Sequence, residues 1–572
     1  MTAFANRSIR WRIAASLAAL LAGTTFFLAA YPSVRASWHG VSQFQDDTFY
    51  YLITAKNFLR LGFFTFDGRN ATNGFQPLWM VAIVGLYKAI GPGSTLDLQI
   101  FAVNVLEKAL LGAAVAFSVA AFVQSLRRDQ PWAAGYLALS LVLLCPFYFI
   151  FDQGMETTLA VLLLLTVTYA FLSDRLLLLG IALALLFLSR LDTAVFVAAP
   201  VLAWTLATAR RDDRRRWVAV AIFSATFFAY IGLNAITTGH AVPISGAIRS
   251  SFPAVRWQGA FFTEPITLAR MFGWGSLFQG INIVECAGLA AAGLILTLIA
   301  RPAPKVRNKL LMLATVSALL IANLLMFQKW EKSIDPRYLA MPMAMATMFF
   351  ANALAVAIRQ ATSSLATRAA GKTQGSVLFP SARSTLSILG ALPVAFIGVL
   401  MLAEAGAHLA SFGVHADRTE DPIRQIFLEV SGVLPRDAVL AGTDVGALAF
   451  WTQRRVVNLD GVINNFEYQE YLRAGALRDY LRLQGVTHLA TALWDREQTY
   501  TGRPIEPMYR QVLDPPAVRG VDYMKHDFFV YSYLYGVYSD KISLSPVDEV
   551  YRKFLGRQGI ADAAYVIYRF AG

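Results

Sequence analysis

The chain is a series of long apolar runs separated by short polar ones, and runs of this kind recur from residue 13 to residue 411. A bilayer-spanning helix needs about 20 mostly apolar residues. The first run begins near residue 13 and is expected to be an uncleaved helix. Ten further candidate spans follow at about 98–124, 132–150, 157–173, 176–190, 191–209, 217–235, 276–300, 309–328, 337–358 and 384–411. The pattern changes at about residue 412. Strand-like runs at 437–443, 454–461 and 486–493 appear, with helical "EYQEYLRAGALRDYLRLQG" between the last two. Such alternation predicts a small α/β domain. The expected organisation is a transmembrane domain over 1–411 and a soluble α/β domain over 412–572.

Composition agrees with that pattern. The 572 residues are 56% hydrophobic and 15% charged, with a mean hydropathy of +0.49. The net charge of +13 does not mark a nucleic-acid face. From residue 412 onward there are 18 Lys and Arg against 20 Asp and Glu, so the excess lies in the membrane part. There it sits in short loops, as the positive-inside rule requires. The basic loops are 125–129, 209–217, 301–309 and 359–383. All four share one side only if "FQPLWMVAIVGLYKAIG" at 75–91 does not cross, and this segment is read as interfacial. About eleven spans then leave the N-terminus cytoplasmic and the C-terminal domain extracytoplasmic, in a bacterial inner membrane. Cys145 and Cys286 both fall in apolar runs and form neither a disulfide framework nor a CxxC pair;.

Asp46 and Asp47 stand just after the first apolar run, in "FQDDTFYYLITAKNFLRLGFFTFDG". An acid in the first turn and Gly62 after the last are ordinary helix start and stop signals. One Asp suffices for that. Two adjacent carboxylates repel each other at a membrane surface, where desolvation adds to the cost, so the pair is also a candidate site.

The pair and its aromatic helix resemble the GT-C superfamily of integral-membrane glycosyltransferases. The loop is similar to the acidic segment of protein O-mannosyltransferases and lipid A aminoarabinose transferases. It is more similar still to the "DDAYI…N…GHG" loop of cell-wall arabinofuranosyltransferases. "TNGFQPLW" resembles the stretch that opens the second interfacial helix of those families. The resemblance implies a GT-C fold with interfacial helices in the first outer loop. The implied activity is an inverting glycosyltransferase that moves a sugar from a polyprenyl-phosphate donor to an extracytoplasmic glycan, lipid or protein. A carboxylate would act as general base and cations would stabilise the departing phosphate. Asp46 is expected to be the base, with Asp47 its partner or a metal ligand if a divalent cation is used. Many relatives have a basic residue before the Pro, suited to the donor phosphate; here it is Gln76, a further candidate for that phosphate.

The other outer loops supply further candidates. Glu156 in "GMETT" matches a second acid of the GT-C pattern, or else caps the following helix; Asp152 competes with it. Arg190 and Asp192 in "LSRLDTAV" are costly at a junction of apolar runs unless paired or facing water. They are either an ion pair or part of a cavity with His240. Arg249, Arg256, Arg337 and Tyr338 are candidates for the donor phosphate, since guanidinium matches it bidentately. Two rival functions are a transporter or flippase of lipid-linked glycans and a non-catalytic scaffold. The acids cluster at one side rather than along a path through the bilayer, which disfavours the transporter.

Overall fold

A computed structural model describes residues 16–24, 34–35, 37–38, 44–144, 153–208, 213–255, 283–328, 336–370, 422–494, 526–558 except 533 and 545, and 561–570. The expected span 384–411, Asp152 and Arg256 lie outside them.

The helices follow the apolar runs closely. Two come first, α1 (Asp46–Leu61) and α2 (Pro77–Ile90). Then come α3 (Leu96–Arg127), α4 (Ala133–Leu144), α5 (Thr157–Leu172), α6 (Leu176–Ser189), α7 (Leu191–Thr208), α8 (Arg215–Thr238) and the short α9 (Ile244–Arg249). The membrane part closes with α10 (Ile283–Ala300), α11 (Pro304–Met326) and α12 (Pro336–Ala370). Among the described residues, six helices are long and apolar enough to cross a membrane: α3, α7, α8, α10, α11 and most of α12. The chain is an integral membrane protein. Four apolar helices are shorter, namely α2, α4, α5 and α6. The 14 residues of α2 extend about 21 Å, less than the roughly 30 Å of a hydrocarbon core. Pro77 opens α2 because it needs no amide partner in the first turn;.

The sequence placed 176–190 and 191–209 next to each other with little between them. The structure joins them through one residue, Arg190, whose extended backbone (φ −153°, ψ 83°) ends α6 before α7 begins. The bundle core lies among α3 to α7 and α10 to α12, from Leu111 and Val161 through Leu183 and Val197 to Leu320 and Phe349.

The C-terminal region holds α13 (Pro422–Val433), β1 (Val439–Gly442), α14 (Gly446–Thr452), β2 (Arg455–Asn458), α15 (Phe466–Arg473), α16 (Leu477–Leu483), β3 (His488–Trp494), β4 (Glu549–Gln558) and β5 (Ala561–Arg569). The sheet order is β2-β1-β3-β5-β4. β1 pairs in parallel with β2 and β3, while β5 runs antiparallel to β3 and β4. The three expected strands are present. The helical run before β3 is broken at Gly475, whose φ of +65° suits glycine;. The closing β4–β5 pair was not anticipated, because only "AYVIY" in it reads as a strand.

One buried cluster joins the two parts. It runs from Phe49, Leu52, Trp79 and Ile83 to Phe427, Leu440, Leu448 and Ile567. The C-terminal region is packed directly on α1, through α14, and shares one core with α2.

Candidate functional site

Adjacent residues on an α-helix point about 100° apart, while residues four apart share a face. Helix α1 uses this to give its two acids different neighbours. Residues 46 and 50 face the C-terminal region, and residues 47 and 51 face the membrane bundle.

On the first face, both Asp46 carboxylate oxygens accept backbone hydrogen bonds, from Gly446 N–H and Ala447 N–H, each at 2.7 Å. Asp46 does serve as a helix cap, but for α14, 400 residues away, and not for its own helix. The residue before α1 is Gln45, which makes no side-chain cap. One turn on, Tyr50 Oη donates to Asp460 Oδ2 (2.9 Å) and accepts from Asn458 Nδ2 (2.9 Å). Asp460 also accepts from Val462 N–H (3.0 Å), an ordinary turn bond;. Burial pushes the Asp46 carboxyl up to about 7, against the pull of the two amides;. Burial likewise raises the Asp460 carboxyl. Burial and the Asp460 charge keep the Tyr50 hydroxyl protonated as a donor.

On the second face, Asp47 pairs with Arg337 Nη2 at 2.6 Å. Arg337 lies over the Tyr338 ring (5.1 Å), and Arg190 lies over the same ring (4.4 Å). Arg190 reaches Glu156 (3.1 Å) and Asp192 (3.1 Å). Glu156 accepts from Tyr51 Oη at 3.2 Å, and Tyr51 Oη accepts from Gln76 N–H at 3.0 Å. Burial, and then the Glu156 charge, hold Tyr51 in its neutral form. Gln76 Oε1 accepts from Leu191 N–H (2.9 Å) at the α6–α7 joint. Gln328 Nε2 donates to Asp192 (3.2 Å). The break at Arg190 thus aims a guanidinium at two acids that a continuous helix would not bring to it.

Seven of the expected residues therefore meet in one network: Asp47, Gln76, Glu156, Arg190, Asp192, Arg337 and Tyr338. Glu156 sits just before α5 without a side-chain cap bond, so its ion pair with Arg190 accounts for it better than the helix dipole does. His240 is elsewhere, stacked on Phe466 at 3.6 Å. Arg249 ends α9, whose first amide, Ile244 N–H, bonds Asn73 Oδ1 at 3.0 Å. Among the described residues, no three of His, Cys, Asp and Glu come together as a metal-holding group.

Several contributors were not anticipated. Glu107 is fully buried in α3 and accepts from Gly154 N–H at 3.0 Å, fixing the loop that carries Glu156. Its neighbour Lys108 is equally buried, 3.9 Å away. A charge inside an apolar helix is a signal in itself, and this one was available at 107–108. Tyr50, Tyr51 and Asn458 read only as ordinary aromatic and strand-end residues.

No protein-family model and no curated protein matches the sequence. Among solved structures, ArnT from Cupriavidus metallidurans bound to undecaprenyl phosphate is similar at a TM-score of 0.48 and 13% identity. That match covers 82% of this chain and 92% of that one. The same protein in the apo state gives a TM-score of 0.49, also at 13% identity and the same coverage. The Archaeoglobus fulgidus oligosaccharyltransferase, tethered with an acceptor peptide containing the NVT sequon, gives 0.49 at 11% identity. It covers 84% of this chain and 69% of that one.

Proposed function

We propose that the chain is a GT-C type membrane glycosyltransferase that moves a sugar from a polyprenyl-phosphate donor to an extracytoplasmic acceptor, with inversion. The observation that carries this reading is the meeting of Asp47, Arg337, Tyr338, Arg190 and Glu156, which come from four separate stretches of sequence. Two guanidiniums on one aromatic ring suit a phosphate, and a carboxylate beside them suits a proton acceptor.

The roles follow from the partners. The sequence favoured Asp46 as base, but both of its oxygens are bound to amides. Asp47 is the better placed. Its partner Arg337 is a side chain that a lipid phosphate can draw away, leaving the carboxylate to take a proton. In the proposed step the acceptor's O–H or N–H loses its proton to Asp47. Its heteroatom bonds to the anomeric carbon as the bond from that carbon to the phosphate oxygen breaks. The lipid phosphate departs as an anion held by Arg337 and Arg190. No step is routed through a metal.

The test is transfer from a radiolabelled polyprenyl-phosphate sugar by the purified full chain. Asp47→Asn is expected to lower it by about two orders of magnitude or more, and Arg337→Ala to lower it as well, while the protein still folds. Undiminished transfer in Asp47→Asn sinks the assignment. Inactivity of every variant alongside an inactive wild type favours the scaffold.

A further inference from the structure

We propose that the turn entering α14 is a positioning element for the acidic pair, so that the C-terminal region is a working part of the reaction centre and not only a cover over it. The inference rests on the function proposed above, and it makes Asp46 a positioning residue rather than a catalytic one.

Three observations carry it. First, Asp46 spends both oxygens on the amides of Gly446 and Ala447, which fixes the carboxylate in a plane set by backbone. Second, the fit leaves no space. A Cβ at Gly446 would stand 2.2 Å from the backbone oxygen of Asp46 and 3.0 Å from its Oδ2. Glycine is needed there by close approach, since its backbone is not in the left-handed region. Third, the grip is repeated one turn later by Tyr50 with Asp460 and Asn458, and it is backed by the Phe49 and Phe450 rings at 5.1 Å.

Two turns of α1 are thereby fixed in rotation about the helix axis. Asp47 is covalently next to Asp46, so rotation at 46 moves 47. An acid about 100° round a helix that must meet Arg337 at 2.6 Å has little tolerance for such rotation. A small misplacement at a reacting group is costly to turnover. The clamp sets the direction of Asp47, and the sheet region supplies the clamp.

The experiment compares Gly446→Ala, Asp46→Ala and Asp47→Ala in the full-length chain in nanodiscs. Gly446→Ala leaves every acid intact. Amide hydrogen exchange in peptides spanning 443–452 reads the clamp directly. It is expected to rise about tenfold or more in Gly446→Ala and Asp46→Ala, and to stay at the wild-type rate in Asp47→Ala. Binding of decaprenyl phosphate reads the phosphate subsite and is expected to persist in Gly446→Ala. Transfer kinetics read positioning, with kcat in Gly446→Ala falling about tenfold or more while KM for the donor stays within about threefold. Unchanged exchange in both clamp variants overturns the inference, whatever the activity. Raised exchange with wild-type kcat overturns it too, because the clamp would then only hold the domain down. Failure of the proposed function looks different: exchange responds as described, but Asp47→Ala transfers sugar normally.

Discussion

The two faces of α1 hold their acids by opposite means. Asp46 is held by backbone amides, which cannot leave without moving a whole region of the protein. Asp47 is held by the guanidinium of Arg337, a side-chain group whose shape and charge suit phosphate;. The first holds through backbone, and the second, under the proposed function, is exchangeable. Equal charges one residue apart are thus given different partners, and under the proposed function separate tasks, one fixing geometry and the other reacting.

The largest effect expected is at the exchangeable acid. Asp47→Asn should lower transfer by about 10²–10⁴-fold, the usual worth of a general base, as measured by turnover of the purified protein. Near-normal turnover erases the contrast between the faces. The next concerns the network that Asp47 belongs to. Arg190→Met strands Glu156 and Asp192, and a buried charge left unpaired costs about 3–5 kcal/mol. Thermal unfolding in detergent should register the loss, and adding Glu156→Gln should restore part of it. A wild-type melting temperature in Arg190→Met would mean the network is not formed.

A smaller effect sharpens the backbone-held side. Tyr50→Phe removes the donor to buried Asp460 and should destabilise by about 1–3 kcal/mol, as read by thermal unfolding, with a smaller loss of turnover than in Gly446→Ala because the Asp46 contact remains. The smallest is a pH slope. The Asp46 carboxyl rises to about 7 in the folded protein from a carboxylate's ordinary value near 4. The folded state therefore binds this proton more tightly than the unfolded state. That contribution is fully present below about pH 4 and is lost as pH rises toward 7, at no more than about 1.4 kcal/mol per pH unit. Asp46→Asn cannot titrate and should show a shallower decline in unfolding temperature between pH 5 and 8. The part due to Asp460, which is raised in the same direction, should remain. An unchanged slope would remove Asp46 from the buried side.

Much of this was legible in the sequence, for identifiable reasons. Period, length and Gly62 located α1, and Pro77 with a short apolar run located α2. The charges at 190 and 192 stood out because apolar surroundings make a charge expensive, and those at 156 and 337 through the family resemblance of their outer loops. The partners were not legible. Nothing local links Asp46 to Gly446, and a glycine between a strand and a helix has many ordinary uses. Nor does anything local link Asp460 to Tyr50, since an acid after a strand commonly bonds the turn that follows, as Asp460 does with Val462 N–H;. Arg190 was visible as a charge at a junction. That the junction is one extended residue, opening the helix toward Glu156, depends on packing that no periodicity encodes.

The bonds from Asp46 to Gly446 and Ala447 also impose an order of events on the making of the protein. A ribosome adds about 5–20 residues per second, so the acid pair is in place some 20–80 seconds before the amides that hold it. During that interval the first loop has been delivered to the membrane but has no partner for Asp46. The contact that holds Asp46 forms only when the last quarter of the chain folds back on its beginning. A ribosome that stops anywhere before Gly446 leaves behind a membrane protein with its acids in place and no fixed direction for them.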